Sequence, residues 1–254
     1  MPLLQQLPAL RPAAVFFDVD DTVAPSTRCI NAGMAAALQA LCDAGMHLGF
    51  VSGGSVEQMH KQVSLGLARP HILLGTSGSH AVQVGADGGR RELFKRGFSE
   101  AERAEILAAL DALRTEYGIH SETTAEDQLQ DRGCQFTLSA LGRGADDAHK
   151  RAFDPDGGKR RAWVAFLTRR LGEGRFEIKV GGTTSVDLTS RGVDKASGLL
   201  ELLKRLDWDP QHALYFGDRF EETGNDHPVM AIMDCLAVEG PEQTLAYVQG
   251  LLRK

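Results

Sequence analysis

The sequence predicts an α/β protein: a parallel-sheet core interrupted by an inserted α+β module. Three features of the 254 residues carry this expectation. Short apolar runs alternate with helix-period stretches near both ends of the chain, the order that builds a parallel sheet with right-handed crossovers. Several of those runs stop abruptly on acidic or glycine-rich segments. Between residues 94 and 189 the order changes to one helix and strand, then one helix and two strands.

Ala13–Phe17 is apolar, with β-branched and aromatic side chains, and runs into a cluster of aspartates. A buried parallel strand entering a polar loop has this form. Asn31–Asp43 sets Met34, Leu38 and Leu41 at helical spacing, and Gly45 lies just past the end. Met46–Val51 is a second strand, stopped by Ser52-Gly-Gly-Ser55. Ser55 and Gln58 form a capping box ahead of the stripe Val56, Met59, Val63. Ile72–Leu74 is a third strand, and Gly85–Gly89 reads as a turn or hinge.

Ser99 and Glu102 form a second capping box. It opens a long helix with Ile106, Leu107, Leu110 and Leu113 on one side and Gly118 at its end. Gln135–Leu141 alternates as a half-buried strand does. Asp156–Leu171 is a helix that turns Trp163, Phe166 and Leu167 to a core, with Lys159–Arg161 as a solvated face. Phe176–Gly181 and Ser185–Leu188 are strands. Asp194 caps a helix carrying Leu199, Leu203 and Leu206. Ala213–Phe216 is a strand ending in Gly217-Asp218, Cys235–Val238 is another, and Pro241 opens a helix reaching Leu252. The expected organisation is a Rossmann-like core formed by residues 1–93 and 190–254, with an α/β cap domain spanning 94–189.

Composition narrows the function. Hydrophobic residues are 43% and charged residues 24%, which excludes wholesale disorder. A net charge of −6 offers no general attraction to nucleic acid or to an anionic membrane. No apolar run approaches the roughly 18 residues of a membrane-spanning helix. Pro2, Pro8 and Pro12 interrupt the first apolar stretch, which no basic segment precedes, so a secretory leader is not expected. Cys29, Cys42, Cys134 and Cys235 are far apart and form no C-x-x-C pair. Free thiols in a reducing, cytoplasmic setting are expected. The expected partner is a small molecule.

Three strand ends carry the chemistry: Asp18-Val-Asp20-Asp-Thr22, Ser52-Gly53-Gly54, and Gly217-Asp218 leading to Asn225-Asp226. In open α/β sheets the ligand site lies beyond the carboxyl ends of the strands. Carboxylates brought together there repel each other unless a cation compensates them, and oxygen ligands suit Mg²⁺. Gly53 and Gly54, entering a helix, present backbone N–H groups to a phosphate. Lys195, at another helix start, adds a positive charge.

These segments, in this order, resemble the four motifs of the haloacid-dehalogenase superfamily, Mg²⁺-dependent phosphohydrolases and phosphotransferases. The insertion between the second and third motifs resembles that of the class IIB, or Cof-type, α/β-capped branch. Within that branch the chain is similar to the eukaryotic-type phosphomannomutases. Gly181-Gly-Thr-Thr-Ser185-Val-Asp187 resembles their Gly-Gly-x-x-Ser-x-Asp, and Gly192-Val-Asp-Lys195 their Gly-Trp-Asp-Lys. Six residues separate Gly217-Asp218 from Asn225-Asp226, which is followed by His227, as in them. Arg132 and Arg143 match two of their substrate-phosphate arginines. Their third arginine falls at Lys150, beside Arg151, and Asp21 replaces a usual glycine.

The resemblance implies roles residue by residue. Asp18 is the nucleophile and Asp20 the general acid and base. Mg²⁺ is held by the Asp18 carboxylate, the Asp20 backbone carbonyl and Asp218, with Asp226 close by. Ser52, Gly53 and Lys195 hold phosphoryl oxygens, with Asn225 supporting the loop. Arg132, Arg143, Ser185 and Asp187 bind the rest of the substrate. The expected activity is a Mg²⁺-dependent phosphatase acting on a small phosphorylated metabolite, a sugar phosphate. A phosphohexomutase is the alternative within the superfamily, and a non-catalytic phosphometabolite-binding protein is the alternative outside it.

Overall fold

In the computed structural model, which describes residues 3–254, the apolar runs become strands with tightly covered faces. The chain opens with β1 (Leu3–Leu4), β2 (Ala14–Asp18), α1 (Ala32–Asp43), β3 (His47–Val51), α2 (Val56–Gln62), β4 (His71–Gly75), β5 (His80–Val84) and β6 (Arg90–Lys95). Then come α3 (Glu100–Tyr117), α4 (Ala125–Gln128), β7 (Leu129–Asp131), β8 (Gln135–Ser139), α5 (Asp147–Phe153), α6 (Gly158–Leu171), β9 (Phe176–Gly181) and β10 (Ser185–Ser190). It closes with α7 (Lys195–Leu206), β11 (Ala213–Gly217), β12 (Asp234–Ala237) and α8 (Pro241–Leu252). Residues up to Lys95 and from Val193 onward form one unit, and Arg96–Gly192 form a second.

The first unit is built on an eight-stranded sheet of order β1-β12-β11-β2-β3-β4-β5-β6. The strands from β1 to β4 in this order are mutually parallel, and β5 and β6 add an antiparallel edge. All five residues of β2 are buried because both faces of the sheet are covered. Val15 and Phe17 join one core with Met34 and Leu38 of α1 and Val248 of α8. Ala14 and Phe16 join the other with Leu199 and Leu202 of α7. The capping boxes predicted at Ser55 and Ser99 close in both directions, and Asn31 caps α1, its Oδ1 accepting from Met34 N–H.

Of the two readings of Gly85–Gly89, the structure shows the turn: it joins β5 and β6 in a hairpin, closed by a Gly85 N–H bond to Gly89 O at 2.8 Å. Four of the six β6 residues are exposed, so the strand lacks the apolar alternation that marks one in a sequence. Lys159–Arg161 is not uniformly solvated. Arg160 is buried, with Nε donating to Asp154 Oδ2 at 2.8 Å and Nη1 reaching the carbonyls of Gly181 and Gly182. A buried guanidinium is tolerable only when paired and hydrogen-bonded in this way.

The second unit is a four-stranded antiparallel sheet of order β7-β8-β10-β9. Its apolar face carries Phe136, Leu138, Val186 and Leu188 into a core with Ile106 and Leu110 of α3 and Trp163 and Leu167 of α6. The period-two pattern turns the intervening residues to the other face.

Candidate active site

Two glycine contacts set the geometry at the carboxyl ends of the core strands. Gly78, at φ +92°, lies against Gly198 of α7; a Cβ at Gly198 would stand 2.3 Å from Gly78 Cα. Only this close approach lets the first turn of α7, with Lys195, pack on the segment that follows β4. Gly217 ends β11, and a Cβ there would lie 2.4 Å from Asp226 Oδ2. Asp226 is thereby admitted beside the strand end.

Asp18 closes β2 and is buried. Lys195, 1% exposed, donates from Nζ to Asp18 Oδ1 at 2.6 Å and to Asp226 Oδ1 at 2.7 Å. Tyr215, fully buried in β11, donates its hydroxyl to the same Asp226 oxygen at 2.6 Å, and Arg219 N–H reaches Asp226 Oδ2 at 3.1 Å. Asp226 is therefore engaged at both oxygens, while Asp218 Oδ1 is buried without any hydrogen-bond partner. Carboxylate oxygens of Asp18, Asp218 and Asp226 lie within 4.8 Å of one another.

Burial pushes the Asp18 carboxyl up to about 7, with Lys195 opposing the rise and Asp226 adding to it. Burial raises Asp218 as well, again with Asp226 adding. Burial works to lower the Lys195 ammonium, but the attraction of Asp18 and Asp226 outweighs it and the net shift is upward. One ammonium thus faces three carboxylates. The excess negative charge and the orphaned Asp218 oxygen fit a hard divalent cation. No thiol or imidazole joins the cluster among the described residues, which disfavours a soft metal.

Asp20 is half-buried, and its Oδ1 accepts from Thr27 N–H at 2.6 Å and Gln62 Nε2 at 3.0 Å. Ser52 follows β3 directly and is buried; its Oγ accepts the Gly54 N–H at 3.0 Å, and half-buried Gly53 stands between them. Asn225 is exposed next to buried Asp226. His227 Nδ1 is 3.0 Å from the Phe220 carbonyl, which ties the two ends of this loop together. Two features escape the sequence reading. Tyr215 lies inside an apolar run and reads as a core aromatic. Thr76 and Ser77, both at positive φ, follow β4, and Ser77 N–H bonds to Ser52 O at 3.0 Å; their only signal is position after a strand end.

In the second unit the β8–β10 register sets Thr137 opposite Asp187 and Ser139 opposite Ser185 on the polar face of the sheet. Thr137 Oγ1 donates to Asp187 Oδ1 at 2.6 Å. With Gln130, Gln135, Arg132 and Arg143 these residues line a cavity of about 250 Å³. Arg132 Nη2 donates to Gln130 Oε1 at 2.9 Å, and Arg143 is 3.8 Å from Asp127, a loose pair that leaves its guanidinium exposed. All four residues expected in the cap thus share one polar surface. Lys150 instead pairs with Asp147 at 3.2 Å, and Arg151 is exposed.

Comparison with known proteins defines the class. A sequence model of the haloacid dehalogenase-like hydrolases matches residues 15–232, and the chain belongs to that family. It is 28% identical to a probable phosphomannomutase of Caenorhabditis elegans over 166 residues, 63% of each chain. The match thus spans under two thirds of the nematode protein. It is also 28% identical to a phosphoglycolate phosphatase of Methanoculleus marisnigri over 202 residues, 79% of this chain and 74% of that one. Among solved structures, an IMP-nucleotidase from Plasmodium falciparum, with IMP bound, superposes with a TM-score of 0.66 at 17% identity, covering 96% of this chain and 69% of its own. A haloacid dehalogenase-like hydrolase from Bacteroides thetaiotaomicron gives 0.65 at 14% identity, covering 95% and 99%. At such identities these structures speak to the fold. No described helix is long and apolar enough to cross a membrane.

Proposed function

We propose that this chain is a cytoplasmic, Mg²⁺-dependent phosphatase that hydrolyses a small sugar phosphate through a phosphoaspartate at Asp18. The observation that carries the reading is the pairing of buried Asp18 with Lys195 beside the unpartnered Asp218 oxygen. Asp18 attacks phosphorus, the bond to the leaving oxygen breaks, and Asp20 supplies that oxygen with a proton. Asp20 then takes a proton from water as the water attacks phosphorus, which frees phosphate and restores Asp18. Ser52, the Gly53 N–H and Lys195 hold the phosphoryl oxygens. Asp18, Asp218 and the Asp20 carbonyl would hold Mg²⁺, with Asp226 fixed on Lys195 beside them. Bound there, the ion offsets negative charge on the transferring group. Arg132, Arg143, Ser185 and Asp187 select what lies beyond it.

A phosphohexomutase is the second reading, favoured by the match to the nematode phosphomannomutase. A sugar-phosphate panel scored for free phosphate and for isomerised product separates the two. Phosphate release without isomerisation is expected. Isomerisation that depends on a hexose bisphosphate would favour the mutase, and neither product with any substrate would reject both.

The metal assignment predicts a change in stability. Mg²⁺ at about a hundred times its Kd should stabilise the protein by about 2.7 kcal/mol, or roughly 5 °C in Tm. Proton and cation compete for Asp18, whose carboxyl sits at about 7. The Mg²⁺ shift should therefore be larger at pH 8 than at pH 6. Asp218→Asn should abolish it; an unchanged shift in that variant would contradict the assignment.

The cap face makes a separate prediction. Removing one charge-assisted contact costs about 1.5–3 kcal/mol, roughly ten- to a hundredfold. Arg132→Ala should lose that much kcat/KM on sugar phosphates bearing a second anion and little on p-nitrophenyl phosphate. Equal losses on both would remove Arg132 from substrate selection.

A further inference from the structure

Asp20 is gripped by two donors that the mechanism above does not use. Gln62, the last residue of α2, donates from Nε2 to Asp20 Oδ1 at 3.0 Å, and Thr27 donates its backbone N–H to the same oxygen at 2.6 Å. The Thr27 contact is made from an unusual backbone. Its φ of +61° lies in the left-handed region, an outlier for a β-branched residue. Strain of this kind persists where surroundings enforce it, and it clusters at functional sites.

Gln62 supplies part of that enforcement. Its carbonyl accepts the Ile30 N–H at 2.9 Å, and its Nε2 also reaches the Arg28 carbonyl at 3.4 Å. The segment after Thr27 is thereby tied to the end of α2, and the Gln62 amide is turned to Asp20. The final torsion of an aspartate is soft and roughly two-fold, so the carboxylate plane is set by its partners. Here both donors fall on Oδ1, and among the described residues no hydrogen bond reaches Oδ2.

We infer that Gln62 is a positioning residue for Asp20: its amide fixes the carboxylate plane so that Oδ2 exchanges the proton with the leaving group. The inference rests on the acid–base reading of Asp20 given above. Proton transfer depends steeply on placement, since small displacements of a catalytic group lower rates far more than binding.

The test uses leaving groups of unequal need. p-Nitrophenolate departs without a proton; the alkoxide of glycerol phosphate requires one. kcat/KM reports the step that forms the phosphoaspartate. Gln62→Leu should lower kcat/KM about tenfold on glycerol phosphate and less than about twofold on p-nitrophenyl phosphate. Asp20→Asn is the reference and should show the same dependence more strongly. A residue that only anchors α2 would lower both substrates alike. Equal losses in Gln62→Leu, or no loss on glycerol phosphate, would overturn the inference while Asp20→Asn keeps its dependence. Equal losses in Asp20→Asn would instead overturn the acid–base reading, and the inference with it. Should Gln62→Leu fail to fold, Gln62→Met keeps an unbranched stem without the donor and carries the same comparison.

Discussion

Asp18→Asn should abolish turnover and leave the fold standing. The amide matches the carboxylate in shape and can still accept from Lys195, but it is not a competent nucleophile. The rate should fall at least about a thousandfold on every substrate, p-nitrophenyl phosphate included, because the loss precedes any selection among leaving groups. Stability should change little. Asp18 is one of three crowded carboxylates, and burial already pushes its carboxyl up to about 7. Removing its charge relieves repulsion as well as losing an ion pair, and Lys195 keeps Asp226. Circular dichroism and thermal melting check the fold; residual activity above a few per cent would remove Asp18 from the covalent role.

Lys195→Met carries the opposite stability signature. Lys195 is buried, and its ammonium bonds both Asp18 and Asp226. Breaking a buried ion pair by removing one partner costs about 3–5 kcal/mol, because the remaining charge stays buried without compensation. Here two carboxylates lose their shared cation. The melting temperature should drop by roughly 10 °C, and activity should be lost with it. Saturating Mg²⁺ should restore part of the stability by supplying charge to the same cluster, and none of the activity, because the phosphoryl oxygens still lack their ammonium. A variant as stable as the parent would mean that the carboxylates do not depend on Lys195.

The contrast between these variants also marks what the residues alone could tell. Asp18, Ser52 and Asp218 were legible because an apolar run that stops on a polar residue reads as the carboxyl end of a buried strand. That strand ends converge is a property of parallel sheets, so the cluster followed from the βα order. Tyr215 was not legible: its three apolar neighbours in the run, Ala213, Leu214 and Phe216, make it read as core, and only the fold brings its hydroxyl to Asp226. The β5–β6 hairpin was hidden for the reverse reason, since Arg90–Lys95 is mostly exposed and shows no apolar alternation. Among Lys159, Arg160 and Arg161, Arg160 turns inward onto buried Asp154, six residues before it, and onto carbonyls at Gly181 and Gly182, distant in sequence. On the polar face of the second unit, Arg132, Arg143, Ser185 and Asp187 could be read as candidates, but Thr137 and Gln130 entered only through strand register and side-chain contact.

A phosphoaspartate at Asp18, if formed, is directly observable. In Asp20→Asn, p-nitrophenyl phosphate should still phosphorylate the enzyme, because its leaving group needs no proton, while the attack of water is slowed. The phosphorylated protein therefore accumulates. Rapid quenching, borohydride reduction and peptide mapping by mass spectrometry would then locate it, since reduction converts an aspartyl phosphate to homoserine. The account predicts homoserine at position 18, in an amount that rises with p-nitrophenolate released in the first turnover, and none in Asp18→Asn. A burst of p-nitrophenolate with position 18 unmodified, or with the modification at another residue, would contradict it.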